Sequence, residues 1–156
     1  MNIKRMSVLT GVLVLSAFIG CTKSEPIDTI KVSGTVKVDG QPMAGINVTF
    51  NPASGNGISA GGITDANGKY TLTSGANTPG TGAVDGRFIP TFSKTETEAR
   101  EPTASPEEEI AKYGYAPPKT IYLIPEKYGD VKSCGFEAVT VEKGKPNVFD
   151  FDISTK

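Results

Sequence analysis

"IKVSGTVKVDGQPMAGINVTF", residues 30–50, decides the class of fold. Ile30, Val32, Val36 and Val38 alternate with Lys31, Ser33, Thr35 and Lys37, and Gly34 takes one inward place. Successive side chains of a strand point to opposite faces, so this period of two reads as a strand with one face on a core. Asp39-Gly40 supplies the positive-φ residues of a tight turn. After Ala44-Gly45 the alternation resumes, with Ile46, Val48 and Phe50 on one side and Asn47 and Thr49 on the other.

The same grammar continues downstream. A glycine-rich stretch carries a weak strand around Ser59 to Thr64, the turn Asp65-Ala66-Asn67-Gly68, and a strand with Tyr70 and Leu72 inward. "GRFIPTF", residues 86–92, sets Phe88 and Phe92 on one face. Pro90 between them has no N–H to give, so this strand is expected to be an edge or bulged there. At the end of the chain, "EAVTVEKGKPNVFDFDI" reads as a hairpin in which Val139 and Val141 pair across the Gly144 turn with Phe149, Phe151 and Ile153, leaving Asp150 and Asp152 in water. With 18 Gly, 11 Pro and no Trp in 156 residues, the composition suits a turn-rich β protein. The expected fold is all-β: an antiparallel, Ig-like Greek-key β-sandwich of about seven short strands.

One segment breaks the rhythm. Residues 93–136 are charged and proline-rich, too long for an idle hairpin loop, and mark an insertion over about 93–128. Within it Ser105, Pro106 and Glu107 to Glu109 read as an N-cap, a first-turn proline and acids that favour the helix dipole, giving a two-turn helix to about Tyr113. "IYLIPEKYGD" alternates enough to lie against the sandwich.

The pattern Val32, Gly34, Val36, Gly40, Pro42, Gly45, Val48, Thr64, Asp65, Gly68, Tyr70, Gly86 and Phe88 resembles the carboxypeptidase regulatory-like domain, over residues 30–92. The resemblance implies a transthyretin-like sandwich of about seven antiparallel strands. It does not imply an activity, because one architecture serves many functions. The enzymatic branch of that fold acts on 5-hydroxyisourate through histidines and a C-terminal tyrosine motif, both absent from this sequence. "IPEKYGD" with the final hairpin is similar to the C-terminal pattern of small single-domain bacterial lipoproteins.

The first 20 residues divide as an export signal does: Lys4 and Arg5, then an apolar run from Met6 to Ile19, ending at Gly20. The run is short for a bilayer span. "FIGC", Phe18 to Cys21, resembles the lipobox of bacterial lipoproteins, with Phe18 where Leu is commonest. That resemblance implies cleavage before Cys21 and acylation of its sulfur, giving a mature protein with three acyl chains. At about 0.8 kcal/mol per buried CH₂, two or more chains hold a protein stably. Thr22 stands where an Asp would, by the same resemblance, favour inner-membrane retention, so an outer membrane or cell surface is expected. Residues 21–29 form a polar lipidated tether that lifts the domain of residues 30–156 about 30 Å at most.

Without the leader, 14 Lys and Arg oppose 17 Asp and Glu, a balance of −3 that argues against a nucleic-acid partner. The chain has no histidine, which removes Ser-His-Asp and Cys-His arrangements, the usual zinc sites and the commonest general base. Glu107, Glu108 and Glu109 are candidate acid–base groups, read more simply as a solvated helix start. Asp65 and Asn67 have calcium-loop spacing but lack the other ligands of such a loop, and read as a turn. Tyr113, Tyr115, Tyr122 and Tyr128, interleaved with prolines, offer either a stacking surface for sugar or peptide or a means of packing the insertion. Cys134, left over once Cys21 is acylated, reads as a buried small hydrophobe rather than a cross-link.

Cys21 is thus the one site residue expected, as a lipid attachment. No catalytic, cofactor or metal site is expected. The expected function is a non-catalytic, exported envelope module, bound to the membrane through Cys21, with an envelope protein or polysaccharide as ligand. The alternative is an accessory subunit or carboxylate-based hydrolase acting on envelope polymers.

Overall fold

The alternation of residues 30–38 becomes strand β1, Ser33–Val38, with Val36 and Val38 buried and Lys37 exposed. The computed structural model describes residues 28–75 and 81–156. Beyond β1 come β2 (Gln41–Pro42), β3 (Asn47–Pro52), β4 (Ala60–Ile63), β5 (Lys69–Thr71), β6 (Thr73–Ser74), β7 (Gly86–Ser93), β8 (Thr95–Thr97), helix α1 (Pro106–Tyr113), β9 (Thr120–Tyr122), a 3-10 turn (Glu126–Gly129), β10 (Val139–Val141) and β11 (Phe151–Ile153). Among the described residues the fold is all-β with one short helix. One sheet has the order β11-β1-β2, with β5 also on β1; a second runs β10-β7-β3-β4-β6; β8 and β9 form a separate ribbon.

The inward faces of the two larger sheets share one core. Phe50 of β3 stands at its centre, with ring centroids 6.1 Å from Phe88 in its own sheet, and 6.4 Å from Tyr70 and 6.3 Å from Phe151 of the other. Phe92 meets Phe151 at 5.0 Å and Phe136 at 5.1 Å. The expected inward residues Val32, Val36, Val48, Leu72, Val141 and Ile153 are all buried. Pro90 sits where the expectation put it. Strand β10 covers β7 only from Gly86 to Phe88, so at Pro90 the strand has β3 on one flank and no strand on the other.

The expected final hairpin does not form. β10 pairs antiparallel with β7, whereas β11 pairs with β1, and does so in parallel: Val36 lies opposite Phe151 and Val38 opposite Ile153. The expected all-antiparallel arrangement is corrected accordingly. The cause is Asn147, which is buried. Its Oδ1 accepts from the Glu142 amide at 3.0 Å, and its Nδ2 donates to the carbonyls of Glu142 and Lys145. The side chain makes the bonds a partner strand would make, and the turn closes on itself. The chain then joins β1, through Ser33 N–H to Asn147 O and Phe149 N–H to Ser33 O.

Between Ser33 and Val36 the β1–β11 ladder is replaced by side chains. Tyr70 Oη donates to the Phe149 carbonyl at 2.8 Å, and Asp150 Oδ1 accepts from the Thr35 amide at 2.7 Å. This close pass requires Gly34, since a β-carbon there would lie 1.8 Å from Phe149 O. Burial, and secondarily the Asp150 carboxylate, raises the Tyr70 pKa above its ordinary 10.0. The stability owed to the neutral hydroxyl is therefore complete below about pH 10 and lost as pH rises through the folded-state value. Tyr70→Phe is expected to cost about 1 kcal/mol at neutral pH. Its difference from the parent in urea midpoint should narrow as the pH rises above about 10. A difference constant with pH would contradict the role given to this hydroxyl.

The strands also define two poles. Ile30 bonds Ala83 just before β7 begins, and Lys143 pairs with Asp28 at the same end. At the far end of β7, Lys94 Nζ donates to Ala44 O, and Tyr128 Oη donates to Ser154 O just past β11. The eight residues of β7 separate these poles by about 25 Å. Asp28, the first described residue, lies at the first pole, and the insertion leaves from the second.

Candidate functional site

The insertion begins where β7 ends. β8 and β9 pair as a ribbon with Thr95 opposite Tyr122 and Thr97 opposite Thr120, every residue of it exposed. Helix α1 forms from Pro106 to Tyr113 as expected. Ser105 Oγ accepts from the Glu108 amide at 3.2 Å, and the Glu108 carboxylate returns to accept from the Ala104 amide at 2.9 Å. No residue of the helix is buried. Its acids serve local structure: Glu108 caps, and Glu109 lies 3.9 Å from Arg100. Past the ribbon the chain returns to the core with Ile124 and Tyr128, both buried, so the part of the insertion that stands free of the core ends before Ile124.

The four tyrosines separate into distinct kinds. Tyr128 is packing, with its ring 5.8 Å from Phe136 and its hydroxyl on Ser154. Tyr113 ties the insertion to itself: its hydroxyl accepts from the Glu101 amide, and the Arg100 guanidinium lies 4.8 Å from the ring centroid. Tyr115 is 90% exposed. Tyr122 is half exposed, and its hydroxyl donates to Glu126 Oε1 at 3.0 Å. That hydrogen bond, with the charge of the carboxylate, raises the Tyr122 pKa.

Tyr122 and Glu126 line a cleft of about 270 Å³ between the end of β7 (Phe92, Ser93, Lys94) and the 3-10 turn, closed by Ile124, Pro125, Gly129 and Asp130. Phe92 and Ile124 supply a buried apolar floor. Asp130 Oδ1 accepts from the amides of Lys132 and Ser133, which fixes that carboxylate at the rim. Lys94 is engaged with Ala44 O at 2.8 Å. Sequence reasoning singled out Tyr122 but not Glu126, Asp130 or Lys94. The available signal was the four-residue step from Tyr122 to Glu126 beside the buried Ile124.

A second opening, about 330 Å³, lies along Thr35, Lys37, Asp150 and Asp152. Its carboxylates are committed to backbone, Asp150 to Thr35 and Asp152 to the Gly40 amide at 3.1 Å. Asp65 closes a turn, its Oδ1 accepting from the amides of Asn67 and Lys69, with Gly68 at φ 72°. Cys134 is free and buried, its Sγ 3.6 Å from Val131 O. Among the described residues no group of three or more acids and cysteines is disposed to hold a metal ion, and no helix is long and apolar enough to cross a membrane. Cys21, the expected lipid attachment, lies outside the described residues.

No protein family, curated protein or solved structure matches this chain.

Proposed function

We propose that the protein is a non-catalytic, lipid-anchored module of a bacterial envelope, held through Cys21 and built as a Greek-key, transthyretin-like sandwich of the carboxypeptidase regulatory-like kind. The observation that carries this reading is the separation of the two poles. Ile30, near the start of the described residues, pairs with Ala83, and the insertion with its cleft stands at the opposite end, past Ser93. A leader ending in Gly20-Cys21 would therefore tie the first pole to lipid and present the second to the envelope space, as a binding module requires. The core supports the sandwich, since Phe50 touches aromatic rings of both larger sheets. Glu108, Asp150 and Asp152 each engage a backbone amide with one carboxylate oxygen, the role of a structural acid.

Metabolic labelling with a clickable fatty acid tests the anchor. The parent should carry label and sediment with membranes. Cys21→Ala should carry none, and should be released or retain its leader. Label retained on Cys21→Ala would remove the anchor and with it this reading.

A further inference from the structure

We infer that the cleft beside Tyr122 is a subsite for one pyranose unit of an uncharged polysaccharide. The inference deepens the binding-module reading, and rests on it only for which way the cleft faces.

Three features of the cleft choose the occupant. The first is a pre-set aromatic wall: Tyr122 keeps half its surface in solvent while Glu126 Oε1 holds its hydroxyl at 3.0 Å, so the ring is fixed without being covered. A pyranose presents a flat face of C–H groups, which packs on such a ring at little cost in ordering. The second is the rim. Glu126 and Asp130 each have one oxygen engaged, by the Tyr122 hydroxyl and by two backbone amides, which leaves the other as a fixed acceptor for sugar hydroxyls. The third is charge. Two carboxylates face one ammonium, Lys94, whose Nζ already donates to Ala44 O. A surplus of negative charge repels uronates, phosphates and sulfates and leaves an uncharged hydroxyl donor as the complementary ligand. At about 270 Å³ the cleft is just below the usual range for small-molecule sites, which suits one ring of a chain that continues past it on both sides.

The test uses the full chain in detergent micelles, with ¹³C in the rings of its five tyrosines. Cellotetraose and chitotetraose are the uncharged probes, a glucuronate-containing tetrasaccharide the acidic one, and an unstructured peptide of uncharged residues the protein-like one. An uncharged tetrasaccharide should shift the Tyr122 ring signal, assigned by its disappearance in Tyr122→Ala, and the acidic one should not. Tyr122→Ala should weaken binding about tenfold or more, Tyr122→Phe much less, and Tyr115→Ala not at all. No shift of Tyr122 at about 10 mM of either uncharged tetrasaccharide would overturn the inference. So would equal losses in Tyr115→Ala and Tyr122→Ala, or a shift produced by the peptide alone, which would assign the cleft to protein. Cys21→Ala protein should titrate like the parent, so failure of the anchor and failure of the subsite are separable.

Discussion

Gly34→Val is expected to leave the domain unfolded, or to destabilise it by about 4 kcal/mol or more, among the largest effects a single substitution produces. The site is in a regular strand with an ordinary backbone angle, so the effect owes nothing to glycine's conformational freedom. It comes from contact. A β-carbon at residue 34 would meet Phe149 O at 1.8 Å, Phe149 C at 2.6 Å and the Tyr70 hydroxyl at 2.9 Å. The backbone at Phe149 cannot retreat cheaply, because its amide donates to Ser33 O and its carbonyl accepts from Tyr70. Moving it would orphan both and draw Phe151 away from Phe92. Even Gly34→Ala should be severe. The matched control is Gly61→Ala in β4, where a β-carbon meets only Val48 O at 3.7 Å, an ordinary contact. Urea unfolding followed by far-UV circular dichroism should separate the two by several kcal/mol. Equal midpoints for Gly34→Ala and Gly61→Ala would mean that β11 does not pass β1 in this register.

Gly34 also marks where the sequence stops being readable. Its inward place could be seen from the alternation of Val32, Val36 and Val38, and so could the burial of most of the core, because period two needs only local information. What fills the space above Gly34 is Phe149, 115 residues away along the chain, and nothing near either position announces the other. The parallel pairing of β11 with β1 was hidden for a related reason. Glu142 to Asn147 carries the residues of a hairpin turn, and Gly144 does take a positive φ of 81°. A hairpin and a self-closed turn differ only in where the Asn147 amide points, and that is decided by burial.

In the insertion the local signals were strong and the long-range ones weak. Ser105, Pro106 and three following acids located the helix because capping is a contact within one turn. The cleft was only partly legible. Tyr122 stood out as an aromatic among prolines, but its meaning depends on Phe92 and Lys94, which reach it because β8 doubles back on β9 and Leu123 N–H bonds Lys94 O. The alternation of "IYLIPEKYGD" places that part of the insertion against the sandwich. Ile124 and Tyr128 are inside the core, since a buried pair at spacing four is enough to dock a segment that is polar elsewhere.

Phe50→Ala should cost about 3 to 5 kcal/mol, whereas removing residues 99–118 altogether should cost about 1 kcal/mol or less. Phe50 is fully buried, and its ring contacts Tyr70, Phe88, Phe149 and Phe151, so truncation opens a cavity lined by both larger sheets. Tyr70, Phe88 and Phe151 are fixed by strand backbone and Phe149 by its amide bond to Ser33 O, so these rings cannot collapse to fill it, which puts the loss at the upper end of the range for such changes. A typical domain has only about 5 to 15 kcal/mol in hand, so this one side chain carries a large share. Residues 99–118 include all of α1, which buries no residue, and the ion pair between Lys112 and Glu101, which is exposed and worth little. The excision is geometrically clean: the Glu98 amide donates to Lys119 O at 2.8 Å, so an Asn-Gly turn can join the two strands of the ribbon directly. The shortened protein should keep the parent's urea midpoint nearly unchanged and keep the Tyr122 cleft, which lies outside the removed segment. If it fails to fold while Phe50→Ala melts like the parent, the stability resides in the insertion and the two-sheet core is not what holds this domain together.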